Sequence, residues 1–115
     1  MQYMLLIYRN ETAVQEASKA QIEQMTAAYG AYTEALKKAG VIGGGGRLQF
    51  STTATTVRVV NGKTNVLNGP YAEIKEQLGG YYLIDVPDLD AALSWAARCP
   101  GASVGAIEVR PIWAM

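Results

Sequence analysis

The sequence predicts a single α+β domain that spans residues 1–115. Three observations support this prediction. Short apolar runs typical of strands alternate with two helical patterns, a two-residue turn signal marks a hairpin, and no linker or internal repeat divides the chain. The length matches one domain, and 50% of the residues are hydrophobic, which is enough to form a core.

The first strand and the first long helix are predicted from the N-terminal part of the chain. Tyr3–Tyr8 is an apolar run of strand length, and the polar stretch Arg9–Ala17 is typical of a loop. Ser18–Gln21 fits a capping box, and Gly40 stands where helices commonly end. Between them, apolar residues spaced by three and four form one stripe: Ile22, Met25, Tyr29, Tyr32 and Leu36.

Residues 43–46 are four consecutive glycines, which invites comparison with a phosphate-binding loop. The pattern fails because Arg47 and Leu48 stand where such a loop needs Lys and Ser or Thr. The glycines also follow a predicted helix, whereas a phosphate loop opens one. We therefore interpret the run as a flexible turn before a strand.

A hairpin is predicted over residues 55–67, with an Asn-Gly turn at residues 61–62. The register places four residues on one face: Val57, Val59, Thr64 and Val66. That face is predicted to be packed and the opposite face to be largely solvated. The hairpin is expected to project at a sheet edge or as a flap.

The last third of the chain predicts a strand, a helix and a final strand. Tyr81–Val86 is apolar on both faces, Asp88 can cap a helix, and Pro100 stops that helix. Residues 106–112 alternate between apolar and polar side chains, as in a half-buried strand. The resulting order, β-α-β-β-(β)-α-β, predicts a ferredoxin-like α+β sandwich.

Two of these strands predict a second copy of the chain as a partner. Tyr3–Tyr8 and Tyr81–Val86 are apolar on both faces and therefore need cover on both sides. Two helices cover only one face of a four-stranded sheet. A homodimer with facing sheets is the simplest solution, and a cleft between the sheets or at their mouth is a plausible ligand site.

Composition excludes several classes of function. Ten basic and ten acidic residues cancel, which argues against a general nucleic-acid surface. The chain has no histidine and one cysteine, Cys99, which we interpret as a structural residue; no metal site and no cofactor are expected. No segment resembles a membrane span or a cleaved leader, so a cytoplasmic protein is predicted.

The segment "NGPYAEIKEQLGGYYLIDVPDLDAALSWAARCP" from residue 68, together with "IEVRPI" near the end, resembles the YCII-related proteins and their DGPF-domain branch. That branch is named for an Asp-Gly-Pro-Phe turn continuing into Ala-Glu-x-Lys-Glu. "MLLIY" near the start and "GRLQ" at residues 46–49 also fit, so the resemblance covers nearly the whole chain. Eight residues after the turn match: Ala72, Glu73, Lys75, Glu76, Gln77, Leu78, Gly79 and Gly80.

The resemblance implies a dimeric α+β barrel of ferredoxin-like subunits. Some relatives look like small hydrolytic or dehalogenating enzymes that use a His-Asp pair, a mechanism that does not carry over to a chain without histidine. Members of the DGPF branch are often associated with extracytoplasmic-function sigma factors. Asn68 and Tyr71 replace the Asp and Phe of the motif, and Asn68 favours a structural interpretation of the turn because an amide is no proton-transfer base.

Seven side chains are candidates for a functional site. Glu73 is the candidate general base, and the alternative is that it caps backbone donors or pairs with a cation. Arg47 has the donor fork that binds anions, with an intrachain ion pair as the alternative. The other ligand-binding candidates are Tyr8, Asn68, Tyr71, Lys75 and Tyr82.

Three functions remain open from the sequence. The first is a protein that binds a small molecule in the dimer cleft, with or without catalysis. The second is a regulatory or protein-interaction module with an exposed patch, for instance on the hairpin at residues 54–67. The third is a dimeric scaffold in which the motif only supports the fold.

Overall fold

The computed structural model describes residues 1–114, which form a four-stranded sheet, a separate two-stranded hairpin and three α-helices. The strands are β1 (Gln2–Arg9), β2 (Ile42–Arg47), β3 (Thr55–Val60), β4 (Lys63–Asn68), β5 (Gln77–Asp85) and β6 (Ala106–Pro111). The helices are α1 (Glu11–Gln15), α2 (Lys19–Lys38) and α3 (Leu89–Arg98). Two 3-10 turns, Ser51–Thr53 and Pro100–Ser103, complete the regular structure of these residues.

The main sheet has the strand order β2-β5-β1-β6, and each neighbouring pair is antiparallel. Strands β3 and β4 pair only with each other. The predicted α+β class is therefore confirmed. The two central strands, β1 and β5, are the two that the sequence predicts to be apolar on both faces.

The core lies on one face of the main sheet, between the sheet and helices α2 and α3. Along β1, alternate residues Tyr3, Leu5 and Ile7 are buried, and Leu5 pairs across the sheet with Tyr82. Leu5, Leu36 and Ile84 are the largest side chains that are completely buried. The opposite face of the sheet carries half-exposed apolar residues, here called the open face: Met4, Leu6, Tyr8, Tyr81 and Leu83.

Both long helices begin as predicted. The Ser18 hydroxyl accepts from the Gln21 amide at 3.1 Å, and the Gln21 side chain accepts from the Ser18 amide at 2.9 Å. Asp88 caps α3 by accepting from the Ala91 amide at 2.9 Å. None of the helices in residues 1–114 has the length and the apolar composition to cross a membrane.

The glycine run belongs to strand β2, so the predicted flexible turn is wrong. β2 pairs with β5 beside two tyrosine rings. A Cβ on Gly45 would lie 3.0 Å from Cδ1 of Tyr82, and a Cβ on Gly46 would lie 3.2 Å from Cε1 of Tyr81. The glycines therefore let an edge strand approach the large side chains of its neighbour on both faces of the sheet.

The predicted loop Arg9–Ala17 is also corrected. Arg9 is the last residue of β1, and α1 follows at once because the Asn10 side chain caps it, accepting from the Ala13 amide at 3.2 Å. Arg9 and Asp85 lie at opposite ends of the sheet, and Asp85 accepts from the amino group of Met1 at 2.9 Å.

The hairpin has the predicted turn and register, but its predicted packed face is exposed. Asn61 and Gly62 both take positive φ, and Val57 pairs with Val66. Val57, Val59 and Val66 are nevertheless 58%, 67% and 60% exposed. Alternation along a strand reveals which side chains share a face, but it does not reveal what covers that face. Here the hairpin projects from the main sheet as an arm.

Cys99 is buried at the C-terminal end of α3, 2% exposed, as a structural interpretation requires. Its Sγ lies 4.0 Å from the Tyr29 hydroxyl, and burial raises the pKa of the Cys99 thiol. A thiol with a raised pKa is a poor nucleophile at neutral pH.

We predict that Tyr32 lowers the stability of the protein in alkaline solution. Its hydroxyl donates to the Trp95 carbonyl at 2.7 Å, and burial raises the pKa of Tyr32 above the ordinary value. Unfolding therefore releases a proton once the pH exceeds about 10, the pKa of a tyrosine in an unfolded chain. The free energy of unfolding should fall by at most about 1.4 kcal/mol per further pH unit for this group.

Urea denaturation below and above the ordinary tyrosine pKa measures this fall. Burial raises the pKa of Tyr29 as well. Tyr32→Phe should therefore make the free energy of unfolding fall less steeply with pH, without abolishing the fall. An unchanged slope in Tyr32→Phe would contradict the prediction.

Candidate functional site

Arg9 and Arg47 come together at one end of the main sheet. They end β1 and β2, the two strands that flank β5. Arg9 pairs with Gln77 and Arg47 pairs with Gly80 in the registers of those strands. Side chains two positions apart along a strand lie on the same face. Arg9 therefore shares the helix-covered face with Ile7 in β1, and Arg47 shares it with Gly45 in β2.

A cavity of about 390 Å³ lies beside the two arginines. The segment that follows β2 forms most of its wall, and this segment leaves the sheet after the Leu48 amide donates to the Gly79 carbonyl at 3.0 Å. The residues that line the cavity are Arg9, Arg47, Leu48, Gln49, Phe50, Thr52 and Thr53. The wall combines two cations with apolar and hydroxyl-bearing side chains.

The pair Gly79 and Gly80, the second glycine-rich segment of the chain, makes room for this arrangement. The register of β1 against β5 shifts between Ile7 and Tyr8, and Gly79 is the unpaired residue at that irregularity. A Cβ on Gly79 would lie 3.0 Å from Cδ of Arg9, so the arginine can lie along the strand only because no side chain is present there. These two motif glycines are therefore needed for packing.

No acidic side chain forms a salt bridge with either arginine among residues 1–114. Nε of Arg9 is buried and has no hydrogen-bond partner within the same residues. Burial is the larger cause that lowers the pKa of Arg9, and the positive charge of Arg47 lowers it further. Nearby Tyr29 and Glu11 oppose that effect. The cavity is thus a positive site whose charge the chain neutralises only in part.

The sequence revealed neither Arg9, which lines the cavity, nor Glu11, which supports its wall. Glu11 is 8% exposed, and its carboxylate accepts from the Ser51 amide and from the Ser51 hydroxyl, both at 2.6 Å. These bonds fix the start of the 3-10 turn Ser51–Thr53, which forms part of the cavity wall. A glutamate in a polar stretch after a strand carries no signal of burial, because its partner lies 40 residues away in the sequence.

Glu11 also links the cavity to the motif segment, residues 69–76. Its backbone amide donates to Oε1 of Gln77 at 3.0 Å, and the Gln77 amide group donates to the Ile74 carbonyl at 2.7 Å. These hydrogen bonds therefore connect Ile74, through Gln77 and Glu11, to the wall of the cavity.

Of the seven side chains singled out from the sequence, Arg47 lines the cavity. Tyr8 lies on the open face. Tyr82 lies on the opposite face, where its hydroxyl shares a hydrogen bond with Thr33 at 2.8 Å and its ring meets Tyr32 edge to face. The two tyrosines therefore do not line one pocket within a single subunit.

The other candidates lie near the hairpin. Asn68 ends β4, and Glu73 and Lys75 are exposed. Tyr71 is 70% exposed, and its ring lies 4.8 Å from Cζ of Arg58 in β3. This cation–π contact fastens the motif segment to the hairpin. Within a single subunit, this group of residues does not line the cavity.

Metal binding finds no support in the arrangement of acidic and sulfur side chains. Within residues 1–114, no three of the Cys, Asp and Glu side chains converge in a way that could hold a metal ion.

We predict that Glu11→Gln destabilises the protein by about 1–3 kcal/mol, because a buried backbone donor loses its charged acceptor. Glu16→Gln is the matched control: Glu16 lies at the end of the same helix and is exposed, and its substitution should change the free energy of unfolding by less than about 0.5 kcal/mol. Urea denaturation of both variants checks the prediction, and equal stability in the two would contradict the assigned role of Glu11.

Three comparisons with known proteins each found a match, two bearing on the family and one on the fold. An uncharacterized protein of Rhizobium meliloti (strain 1021) is 40% identical over 114 residues, which cover 97% of this chain and 92% of the relative. A solved structure, 5-chloro-2-hydroxyhydroquinone dehydrochlorinase of Burkholderia phenoliruptrix AC1100 in complex with 2,5-dihydroxybenzoquinone, is similar with a TM-score of 0.60.

The similarity to that structure covers 100% of this chain and 96% of the dehydrochlorinase, at 19% sequence identity, and it therefore concerns the fold alone. The model of the YCII-related domain matches residues 1–115. By this match and by the similarity to the Rhizobium protein, the chain belongs to the family of YCII-related domain proteins.

Proposed function

We propose that this YCII-related protein is a homodimer that binds a small molecule in the cavity beside Arg9 and Arg47. One observation supports this proposal above the others: Arg9 and Arg47 both line one cavity, and none of the residues 1–114 supplies a carboxylate to its wall. Two like charges placed together at the end of a sheet repel one another. A bound anion would offset that repulsion.

The similar fold of the dehydrochlorinase gives independent support of a weaker kind. That enzyme was solved with a small molecule bound, so a chain of this architecture can form a ligand site. At 19% identity the similarity does not transfer the reaction. The His-Asp chemistry expected of some relatives is excluded here, because the chain contains no histidine.

Three observations support dimerisation. The residues of the open face are apolar, and no helix of residues 1–114 lies above them. The chain exposes 8007 Å² of surface, whereas a folded monomer of this mass exposes about 6,100 Å². The radius of gyration is 16.0 Å, against about 13 Å for a compact domain of this length. A standard interface hides about 800 Å² on each partner, well within that excess.

The strand order β2-β5-β1-β6 with α2 and α3 on one face is the arrangement expected of a ferredoxin-like subunit. Two such sheets facing each other would give the dimeric α+β barrel. We also infer that the chain belongs to the DGPF branch, because residues 68–80 follow its motif. The motif tyrosine and the Arg58 contact would then hold the hairpin in place beside the dimer.

Catalysis in this cavity would require a group that transfers a proton. Glu73 remains the candidate that the sequence offers, but it is exposed and outside the cavity wall of its own subunit. It could take part only if the second subunit covered residues 69–76. The proposal is therefore binding first, with Glu73 as the general base if a reaction follows.

The alternative function, a regulatory or protein-interaction module, has one specific observation in its favour. The hairpin presents a row of exposed valines, Val57, Val59 and Val66, on one face of an arm. Hydrogen exchange of the hairpin amides, compared between the assembled dimer and a monomeric variant, separates the two functions, because the β3–β4 ladder protects these amides in both. Slower exchange in the dimer would mean that the second subunit covers this row, and equal exchange would leave it free for another protein.

We predict that small fragments bind beside Arg47. A fragment library with neutral, anionic and cationic members is screened by backbone amide NMR, and shifts should cluster at residues 47–53. Arg47→Met, which keeps the apolar stem, should weaken the binding of those hits. Lys63→Met removes a charge from the hairpin turn and serves as the control. If no fragment shifts residues 47–53, the proposed binding function is wrong.

We predict that Leu6→Lys on the open face converts the dimer into a folded monomer, because a charge buried between two sheets has no partner. Sedimentation velocity measures the mass, and circular dichroism confirms that the variant is folded. Leu93→Lys is the control, since Leu93 is 47% exposed on α3, on the helix-covered side. A monomeric wild type, or a Leu6→Lys variant that stays dimeric, would overturn the proposed interface.

A further inference from the structure

The cavity at Arg9 and Arg47 also indicates which class of molecule it binds. The first indication is charge. Both arginines are in the wall, and the other residues of 1–114 that line it are uncharged. The closest carboxylate found near Arg9, that of Glu11, has both of its oxygens engaged by Ser51. The ligand therefore needs at least one negative charge.

The second indication is the unused hydrogen-bonding capacity. Nε of Arg9 is buried beside Gly79 and out of reach of a ligand, so the donors available to the cavity are the terminal guanidinium nitrogens, which form no salt bridge within residues 1–114. A guanidinium presents such donors in a planar fork. A carboxylate or a phosphate matches such a fork with two oxygens, which halide ions and neutral carbonyl groups cannot do. Gly79 leaves the strand bare beside this fork, so no side chain competes for the position.

The third indication is the rest of the wall. Leu48 and Phe50 supply apolar surface, and Thr52 and Thr53 supply hydroxyl groups. A bare inorganic ion would leave the apolar surface without a contact. The volume of about 390 Å³ lies near the lower end of the range of about 300–1,000 Å³ for small-molecule sites. That size suits a molecule with a single ring.

Larger polyanions do not fit the charge distribution. The chain has ten basic and ten acidic residues in total, and the cavity gathers two of the basic ones. Nucleic acids and polyphosphates depend on rows of basic side chains for affinity. The charge at this cavity suffices for one acidic group.

We propose that the cavity binds a small organic anion: Arg9 and Arg47 hold one carboxylate or phosphate group, and Leu48 and Phe50 contact a ring-sized apolar body. This inference rests on the proposed binding function and specifies its ligand. Glu11 is a positioning residue in this arrangement, because it holds the Ser51–Thr53 wall without occupying the cavity.

The test is a calorimetric titration of the full chain with four probes: benzoate, benzamide, phenyl phosphate and inorganic phosphate. Benzoate and benzamide have nearly the same shape and differ in charge. Phenyl phosphate and inorganic phosphate share the acidic group and differ in the apolar body. We expect benzoate to bind at least tenfold more tightly than benzamide, and phenyl phosphate more tightly than inorganic phosphate.

Variants locate the site of binding. Arg47→Met should reduce benzoate affinity at least tenfold, since a charge-assisted contact is worth roughly a factor of ten or more. The weak binding of benzamide should stay within about twofold, because benzamide carries no charge. Lys63→Met should leave both affinities unchanged. Glu11→Gln should weaken benzamide at least as much as benzoate, because the displaced wall affects the ring while the loss of a negative charge near Arg9 favours the anion. A selective loss of benzoate in Glu11→Gln would contradict its positioning role.

The outcomes separate this inference from the proposed function. Equal affinity for benzoate and benzamide, with shifts at residues 47–53, would overturn the anion class and leave small-molecule binding intact. Inorganic phosphate binding as tightly as phenyl phosphate would overturn the apolar contact. Neutral fragments that bind at residues 47–53 while all anionic probes fail would overturn the anion class. Failure of every probe and fragment overturns both proposals.

Discussion

The one-sided cover of the main sheet is the constraint on which the rest of this structure depends. β1 is flanked on both sides by other strands, and α2 and α3 bury only the face that carries Tyr3, Leu5 and Ile7. The other face is apolar but open, and the chain is wider and more exposed than a compact domain of its mass. A hydrophobic sheet face in water is costly in proportion to its area. The proposed second subunit would cover the open face, and the cavity lies at the end of the same sheet.

Glycine defines the geometry of that end of the sheet. Gly45 and Gly46 let the edge strand β2 lie against the rings of Tyr82 and Tyr81, and Gly79 lets Arg9 lie along β5. In both places an absent side chain allows a large one to take a fixed position. The strands consequently bring Arg9 and Arg47 to one cavity, although 38 positions separate them in the sequence. The glycine-rich segments of the chain thus serve packing, and they create the charged site indirectly.

Glu11 connects the elements around the cavity. It accepts two hydrogen bonds from Ser51, and its amide reaches Gln77, which in turn holds the Ile74 carbonyl. Its carboxylate is thereby fully used in building the wall and neutralises the arginines only in part. This division of roles leaves the cavity positive and ties the start of its Ser51–Thr53 wall to α1. Ile74, in the segment of residues 69–76, belongs to the same network, so the position of that segment is physically connected to the cavity wall.

The sequence by itself determined the α+β class, the helix caps, the hairpin register and the presence of two strands that need cover on both faces, because these follow from local periodicity and turn chemistry. It also singled out Arg47. Only the tertiary structure decided that the glycine run is a strand, that Arg9 joins Arg47, and that Glu11 is buried against Ser51. These features depend on contacts between residues far apart in the chain, and a side chain's neighbours across strands leave no periodic trace in the sequence.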